Sequence, residues 1–322
     1  MLDVVRARSG ERFLVAAFFL LRIAFAQDSF AQDARHFDYD ASAPLEVKEL
    51  SVESRDGVAI HDVTYASPQG GRVPAYLVVP KGDGRFAAVI WGHWVMPGSP
   101  VANREEFLRE AIAIAPAGLV SLLIDAPQAR EGVKPSQRSS LIFAQQIVDL
   151  RRGVDLLLSR TDVDPKRIAY VGHSFDAGTG AVLDAVDKRL SVFVLMGGPQ
   201  SVRELMLSSD SPRMVALRQS VPAAKLEQNL QSVAWTDPGS YAAHLGPAPV
   251  LFQYGLHDEE WVPLQDAKDY IAMASGPKEV RFYESDHALN AEARRERFAF
   301  LREHLGLRML PPGTLESVPL TK

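Results

Sequence analysis

Short, mostly apolar runs constrain the fold of this chain more than any other feature of its sequence. They lie at residues 86–91, 119–124, 168–171, 192–196, 250–254 and 280–283. Runs of this kind are typical of strands buried on both faces. Between and after them, the apolar spacing predicts helices at about residues 103–117, 139–159, 175–186, 264–274 and 291–305. Alternating strands and helices predict an α/β fold with a mostly parallel sheet and helices on both faces.

The region before residue 86 has a different pattern. Residues 47–52, 58–65 and 73–79 alternate apolar and polar side chains, with turn dipeptides between them at Asp56-Gly57 and Gly70-Gly71. Such alternation with tight turns predicts antiparallel strands. The sheet is therefore expected to be mixed.

Three further segments depart from the α/β alternation. Residues 199–246 form a longer polar and helical stretch, which we interpret as a small cap over the site; a long crossover helix with loops is the alternative. Residues 27–43 are polar without a clear period and are expected to form a flexible lead-in. Residues 310–322 contain Pro-Pro-Gly and are expected to be a disordered tail. The α/β domain is thus predicted at residues 44–309.

The N-terminus has the layout of a secretory signal peptide. Three arginines lie within the first twelve residues, and an apolar run over residues 13–26 ends in Ala24-Phe25-Ala26. We expect residues 1–26 to be removed and the protein to be exported, either to the periplasm or to the medium. Cleavage after Ala31 is a second option. An amphipathic N-terminal helix on a cytoplasmic protein is the alternative.

The composition excludes several classes of function. With 35 basic and 40 acidic side chains the formal net charge is −5, which gives no reason to expect a nucleic-acid partner. The absence of cysteine excludes disulfides, thiolate metal sites and a cysteine nucleophile. No metal-ligand spacing, phosphate loop or dinucleotide fingerprint is present, so no cofactor or metal is expected.

The strongest local motif is Gly172-His173-Ser174-Phe175-Asp176, which lies where an apolar strand turns directly into a helix. A nucleophile elbow requires this context, because the sharp turn lifts the serine hydroxyl above the sheet edge. The following helix directs free N–H groups at the site, including that of Phe175. Serine before a helix is more often a simple N-cap, so the motif needs further support.

That support comes from two later loops. Asp258 follows the strand at residues 250–254, and His287 follows the strand at 280–283. Nucleophile, acid and histidine in this chain order at three strand ends are the arrangement of a catalytic triad on such a sheet. Glu259 is an alternative to Asp258 as the acid.

At these residues the chain resembles the α/β-hydrolase superfamily, particularly its dienelactone-hydrolase-like and small serine esterase branches, over residues 86–307. The resemblance implies Ser174 as nucleophile, Asp258 as acid and His287 as base. It also implies an oxyanion hole made by the backbone N–H of Phe175 and that of Trp94 or Val95. One departure is Asp176, which replaces the second glycine of the usual Gly-x-Ser-x-Gly pattern.

The function expected from these features is hydrolysis of a small or medium carboxylic ester through an acyl-enzyme on Ser174. The partner is then a small-molecule ester, with no nucleic acid and no stable membrane insertion once the leader is removed. A peptidase or amidase of the same fold is one alternative. A non-catalytic binding protein is the other, and Asp176 is the main argument for it.

Overall fold

A computed structural model describes residues 30, 32–95, 99–130 and 141–320. The chain divides into two units, Met1–Asp38 and Tyr39–Lys322. The described residues of the first unit include a short 3-10 turn at Arg35–Phe37. The signal peptide predicted at residues 1–26 lies outside the described residues, so export stays a prediction.

In the described part of the second unit, nine strands form one sheet in the order β1-β2-β3-β5-β4-β6-β7-β8-β9. The pairs β1-β2, β2-β3 and β3-β5 are antiparallel. The pairs β5-β4, β4-β6, β6-β7, β7-β8 and β8-β9 are parallel. The strands are β1 Lys48–Arg55, β2 Val58–Ala66, β3 Arg72–Val79, β4 Phe86–Gly92, β5 Leu119–Ile124, β6 Val163–His173, β7 Val192–Met196, β8 Val250–Gly255 and β9 Lys278–Tyr283. This confirms the predicted mixed, mostly parallel sheet.

Helices pack on both faces of this sheet. The α-helices of the second unit in the described residues, including three that contact mainly one another and not the sheet, are α1 Leu108–Ile114, α2 Leu141–Leu158, α3 Phe175–Val186, α4 Val202–Ser208, α5 Pro212–Ser220, α6 Ala223–Val233, α7 Pro238–Ala242, α8 Leu264–Met273 and α9 Ala291–Leu305. One core cluster joins the sheet to α2, α3 and α8, and the other joins it to α1 and α9. Alternate side chains of a strand point to opposite faces, which explains why β4 and β6 contribute to both clusters.

The helix predicted at residues 103–117 begins later than expected. Residues 101–107 form turns, and α1 starts at Leu108. In the turn, Asn103 Oδ1 accepts a hydrogen bond from the Glu105 N–H, and Asp125 Oδ1 accepts one from the Arg104 N–H. Side-chain acceptors of this kind satisfy backbone donors outside a helix and so compete with helix formation.

The prediction of a disordered tail at residues 310–322 is wrong for the described part, which ends at Leu320. Leu315 and Val318 are buried, and the buried guanidinium of Arg294 donates to the carbonyl oxygens of Leu315, Val318 and Pro319 at 2.6–3.2 Å. A buried charged donor must find acceptors. Arg294 finds them on the tail, and the tail is thereby held against α9.

The flexible lead-in predicted at residues 27–43 is also wrong at its C-terminal end. Within the second unit, Arg152 donates to the carbonyl oxygens of Ala41 and Ala43. The Tyr39 hydroxyl donates to Asp155 Oδ2 at 2.8 Å. Residues 39–43 are therefore fixed to α2.

The segment at residues 199–246 connects β7 to β8 and contains α4 to α7. It has several short helices in place of one long crossover helix. The helix α7 packs against α3. None of the helices in the described residues is long and apolar enough to span a bilayer.

Candidate active site

The carboxyl ends of parallel strands meet at one edge of the sheet, and ligands of open α/β folds bind at this edge. Here that edge carries the loops that follow β4, β6, β7, β8 and β9. The sequence placed Trp94, Ser174, Asp258 and His287 in four of these loops. The structure brings all four to the same edge.

Ser174 occupies a sharp turn between β6 and α3. Its backbone lies at φ 56° and ψ −110°, in the left-handed half of dihedral space that non-glycine residues rarely adopt. Its N–H donates to the Met196 carbonyl oxygen at 2.7 Å, which anchors the turn to the end of β7. The Ser174 side chain makes no N-cap hydrogen bond to α3. This turn is strained and leaves the side chain half-buried, as a nucleophile elbow requires.

His287 and Asp258 form a buried pair. The Nδ1 of His287 lies 2.6 Å from Oδ2 of Asp258, and only 6% and 4% of the two residues is exposed. The other Asp258 oxygen, Oδ1, accepts from the Trp261 N–H at 3.1 Å. Glu259, the alternative acid, is exposed. The carboxylate that contacts His287 is therefore that of Asp258.

The pairing decides the state of the other imidazole nitrogen. A carboxylate acceptor at Nδ1 places the proton there and leaves a lone pair on Nε2. The Nε2 of His287 is buried and has no hydrogen-bond partner among the described residues. A buried polar atom without a partner calls for an explanation. An unpaired imidazole nitrogen of this kind can accept a proton.

The His287 ring lies close to the Ser174 turn. It packs over Gly197, where an added Cβ would come within 3.0 Å of Cε1. Gly197 directly follows Met196, whose carbonyl holds the Ser174 N–H. His173, the residue before Ser174, also contacts His287, with ring centroids 5.2 Å apart. The elbow and the histidine loop are thus neighbours at the end of β7.

Of the three N–H groups predicted for an oxyanion hole, two have no acceptor among the described residues. Phe175 is the first residue of α3, so its N–H has no acceptor within the helix. The Trp94 N–H instead donates to Glu106 Oε2 at 2.6 Å. That bond corrects the alternative based on Trp94. No described residue accepts a hydrogen bond from the Val95 N–H, so Val95 stays the candidate for the second donor.

Asp176 is completely buried, and the surrounding residues leave room for it. Its carboxylate accepts from Gln146 Nε2 at 2.9 Å to each oxygen and from the Thr179 hydroxyl at 2.7 Å. A Cβ on Gly92 would lie 2.5 Å from the Asp176 Cβ, and one on Gly172 would lie 2.2 Å from the Asp176 carbonyl oxygen. The missing elbow glycine is therefore compensated at the neighbouring strand.

Burial is the main cause that raises the pKa of Asp176 from 3.8 to about 6. Because the folded state then binds its proton more tightly than the unfolded state, the stability contributed by this group falls as pH rises from about 4 to 6. The cost of the buried charge above pH 6 is roughly 3 kcal/mol. We expect Asp176→Asn to raise the free energy of unfolding at pH 8 by up to that amount. Near pH 4 the variant and the wild type should be equally stable.

Urea denaturation at pH 4.5 and pH 8 measures this difference. Asp187→Asn is the matched control. Although burial alone would raise the pKa of Asp187, hydrogen bonds from Arg189 hold it below 3.8. This control should therefore lower stability at pH 8. A loss of stability at pH 8 in Asp176→Asn as well would contradict the account of Asp176.

A cleft of about 660 Å³ lies beside His287. Its apolar surface includes Trp94, Trp261 and Leu289, and Leu320 of the C-terminal tail also lines it. The carboxylates of Glu259 and Asp286 lie among the lining residues. Clefts of this size with mostly apolar walls accommodate small molecules.

No protein-family model and no curated protein sequence matches the chain. Solved structures do match. An acetyl xylan esterase from Paenibacillus sp. R4 has a TM-score of 0.66 at 20% identity, covering 88% of this chain and 94% of that chain. Acetyl xylan esterase 1 from Thermoanaerobacterium sp. JW/SL YS485 has a TM-score of 0.69 at 17% identity, covering 85% and 93%. An esterase of Pyrococcus furiosus has a TM-score of 0.59 at 14% identity, covering 80% and 97%.

This chain has the α/β-hydrolase fold. The likeness confirms the predicted fold class. At these identities it carries the fold alone, because one fold hosts many functions. Which residues of this α/β-hydrolase-fold protein take part in catalysis therefore depends on the geometry of its own site.

The sequence analysis did not assign two polar residues to the site. Glu106 and His173 lie buried against each other beneath the Trp94 loop. His173 was part of the elbow motif but had no predicted role, and Glu106 fell within a predicted helix. By contrast, His93 has a structural role. Its Nδ1 donates to the Trp94 carbonyl oxygen and its Nε2 accepts from the Ala126 N–H.

Proposed function

We propose that this protein is a serine hydrolase that cleaves small or medium carboxylic esters. The observation that carries the proposal is the buried His287, whose Nδ1 is held by Asp258 while its Nε2 has no partner in the described residues. A histidine in this state beside a strained serine turn is the general base of nucleophilic catalysis. The structural neighbours, which are esterases and other hydrolases, are consistent with this chemistry.

In the proposed reaction these groups have the following roles. Ser174 Oγ attacks the ester carbonyl while its proton passes to His287 Nε2, and Asp258 stabilises the imidazolium. The negative charge that develops on the carbonyl oxygen is bound by the N–H groups of Phe175 and Val95. His287 then gives the proton to the departing alcohol. Water, activated by the same nitrogen, attacks the acyl-enzyme and releases the acid.

Ester and amide substrates separate the proposal from its closest alternative. We expect the purified protein to hydrolyse p-nitrophenyl acetate and to leave the matching p-nitroanilide uncleaved, since an amine is a poorer leaving group that an esterase has no need to protonate. Because two of the similar structures are acetyl xylan esterases, acetyl is the first acyl group to test. Hydrolysis is followed as nitrophenolate or nitroaniline release at equal enzyme concentration.

The other outcomes have defined meanings. Cleavage of the anilide that is lost in Ser174→Ala would support a peptidase or amidase in place of an esterase. Folded protein that cleaves neither substrate would support the non-catalytic binding protein.

A further inference from the structure

Glu106 and His173 form a second carboxylate–imidazole pair beside the proposed catalytic one. Glu106 Oε1 lies 2.5 Å from His173 Nδ1, and about 1% of each side chain is exposed. The mechanism above uses neither residue. Two titratable side chains buried together at the edge that carries the active site require a reason, because burying them is costly.

The partners of the pair show where its proton lies. His173 Nε2 is 2.9 Å from the His287 carbonyl oxygen, which can only accept, so Nε2 carries a hydrogen. Glu106 Oε2 accepts from the Trp94 N–H. One further proton must then lie between Oε1 and Nδ1, since two lone pairs would repel at that distance. Every polar atom of the pair is thus hydrogen-bonded.

These bonds join three loops that the proposed mechanism needs at fixed separations. Glu106 holds the Trp94 N–H, one residue before the oxyanion donor Val95. His173 directly precedes Ser174, and its ring bonds to the backbone of His287. The Trp94 indole also stacks on the His173 ring, with centroids 5.1 Å apart. The oxyanion loop, the nucleophile turn and the histidine loop therefore share one buried anchor.

We propose that Glu106 and His173 are positioning residues that set the distances between the Val95 N–H, Ser174 and His287. The inference rests on the proposed esterase function and deepens it. Positioning here depends on hydrogen bonds and not on net charge. A displacement of about 1 Å at such a site can lower the rate about 100-fold.

Substitutions of Glu106 test the proposal. Glu106→Ala removes both bonds, and we expect kcat per active site to fall about 100-fold, while KM changes little because Glu106 does not touch substrate. Glu106→Gln should keep most of kcat. Its amide oxygen can accept from the Trp94 N–H, and its amide nitrogen can donate to Nδ1 of a neutral His173.

The concentration of active sites is determined by titration with a fluorophosphonate, so that unfolded protein is not counted when kcat is calculated. Asp187→Ala is the control, because it removes another buried, hydrogen-bonded carboxylate at the far end of α3. It should lower the melting temperature and leave kcat unchanged. If Glu106→Ala does not fold, His173→Phe replaces it. The phenyl ring keeps the packing on Trp94 and removes both hydrogen bonds, so the same loss of kcat is expected.

The outcomes distinguish this inference from the function on which it rests. If the wild type neither reacts with the probe nor hydrolyses esters, the proposed function fails. If the wild type is active and Glu106→Ala or His173→Phe retains full kcat, the function stands and the positioning role is overturned. If Glu106→Gln loses as much as Glu106→Ala, charge and not hydrogen bonding is what matters, and the positioning account is also overturned.

Discussion

Ser174→Ala is expected to lower kcat for p-nitrophenyl acetate by at least about 10⁴-fold while the protein remains folded. The change removes one oxygen atom from a half-buried side chain that makes no N-cap bond, so little stability depends on it. Without the hydroxyl no acyl-enzyme can form, and the residual rate comes from the oxyanion donors and substrate binding alone. Initial rates and thermal unfolding of the same preparation measure both effects.

Ser201→Ala is a matched control for this substitution. Ser201 also precedes a helix, but its side chain accepts from the Glu204 N–H and caps α4. Removing that cap should cost about 1 kcal/mol of stability and leave activity unchanged. Ser174→Ala should thus lose activity and keep stability, whereas Ser201→Ala should lose stability and keep activity. Full activity in Ser174→Ala would show that Ser174 is not the nucleophile.

Asp258→Asn is expected to lower kcat by about 10⁴-fold, because the amide no longer holds the required tautomer of His287. In the wild type, Oδ2 of Asp258 accepts the Nδ1 proton at 2.6 Å, and Nε2 has no partner among the described residues. An amide nitrogen facing Nδ1 would move the imidazole proton to Nε2, where it prevents His287 from accepting the serine proton. Steady-state rates of the variant on the same ester measure the loss.

Glu259→Gln serves as the control at the neighbouring position. Glu259 is exposed and does not contact His287, so its neutralisation should change kcat less than about twofold. The reverse pattern, with the large loss in Glu259→Gln, would assign the acid to Glu259. The sequence could not decide which of these two carboxylates contacts His287, because adjacent loop residues differ only in the direction in which the loop points their side chains.

Much of the architecture could be predicted because its signals are local. The bounds of α3 and α9 agree with the predicted helices, since apolar spacing and flanking residues determine them. The sharp turn at Ser174 could be predicted for the same reason, because strand, turn and helix are contiguous. Asp258 and His287 could be placed at the same edge because each follows a strand of one parallel sheet.

The remaining features depend on contacts between distant residues. Glu106 and His173 are 67 positions apart, and no local pattern marks them as partners. The space for Asp176 comes from Gly92 on a neighbouring strand, which a motif read along the chain does not include. The composition of the tail predicted disorder, yet the buried Arg294 donates hydrogen bonds to its backbone carbonyl oxygens. Every sequence has such carbonyls, so the sequence of the tail does not reveal the contact.

Intact-mass spectrometry after treatment with a fluorophosphonate tests most directly whether Ser174 is an activated nucleophile. Wild-type protein and Ser174→Ala are treated in parallel at equal concentration, with folding checked by thermal unfolding. We predict one probe adduct per molecule of wild type and none on the variant. An equal adduct on Ser174→Ala, or no adduct on well-folded wild type, would contradict the proposed triad of Ser174, His287 and Asp258.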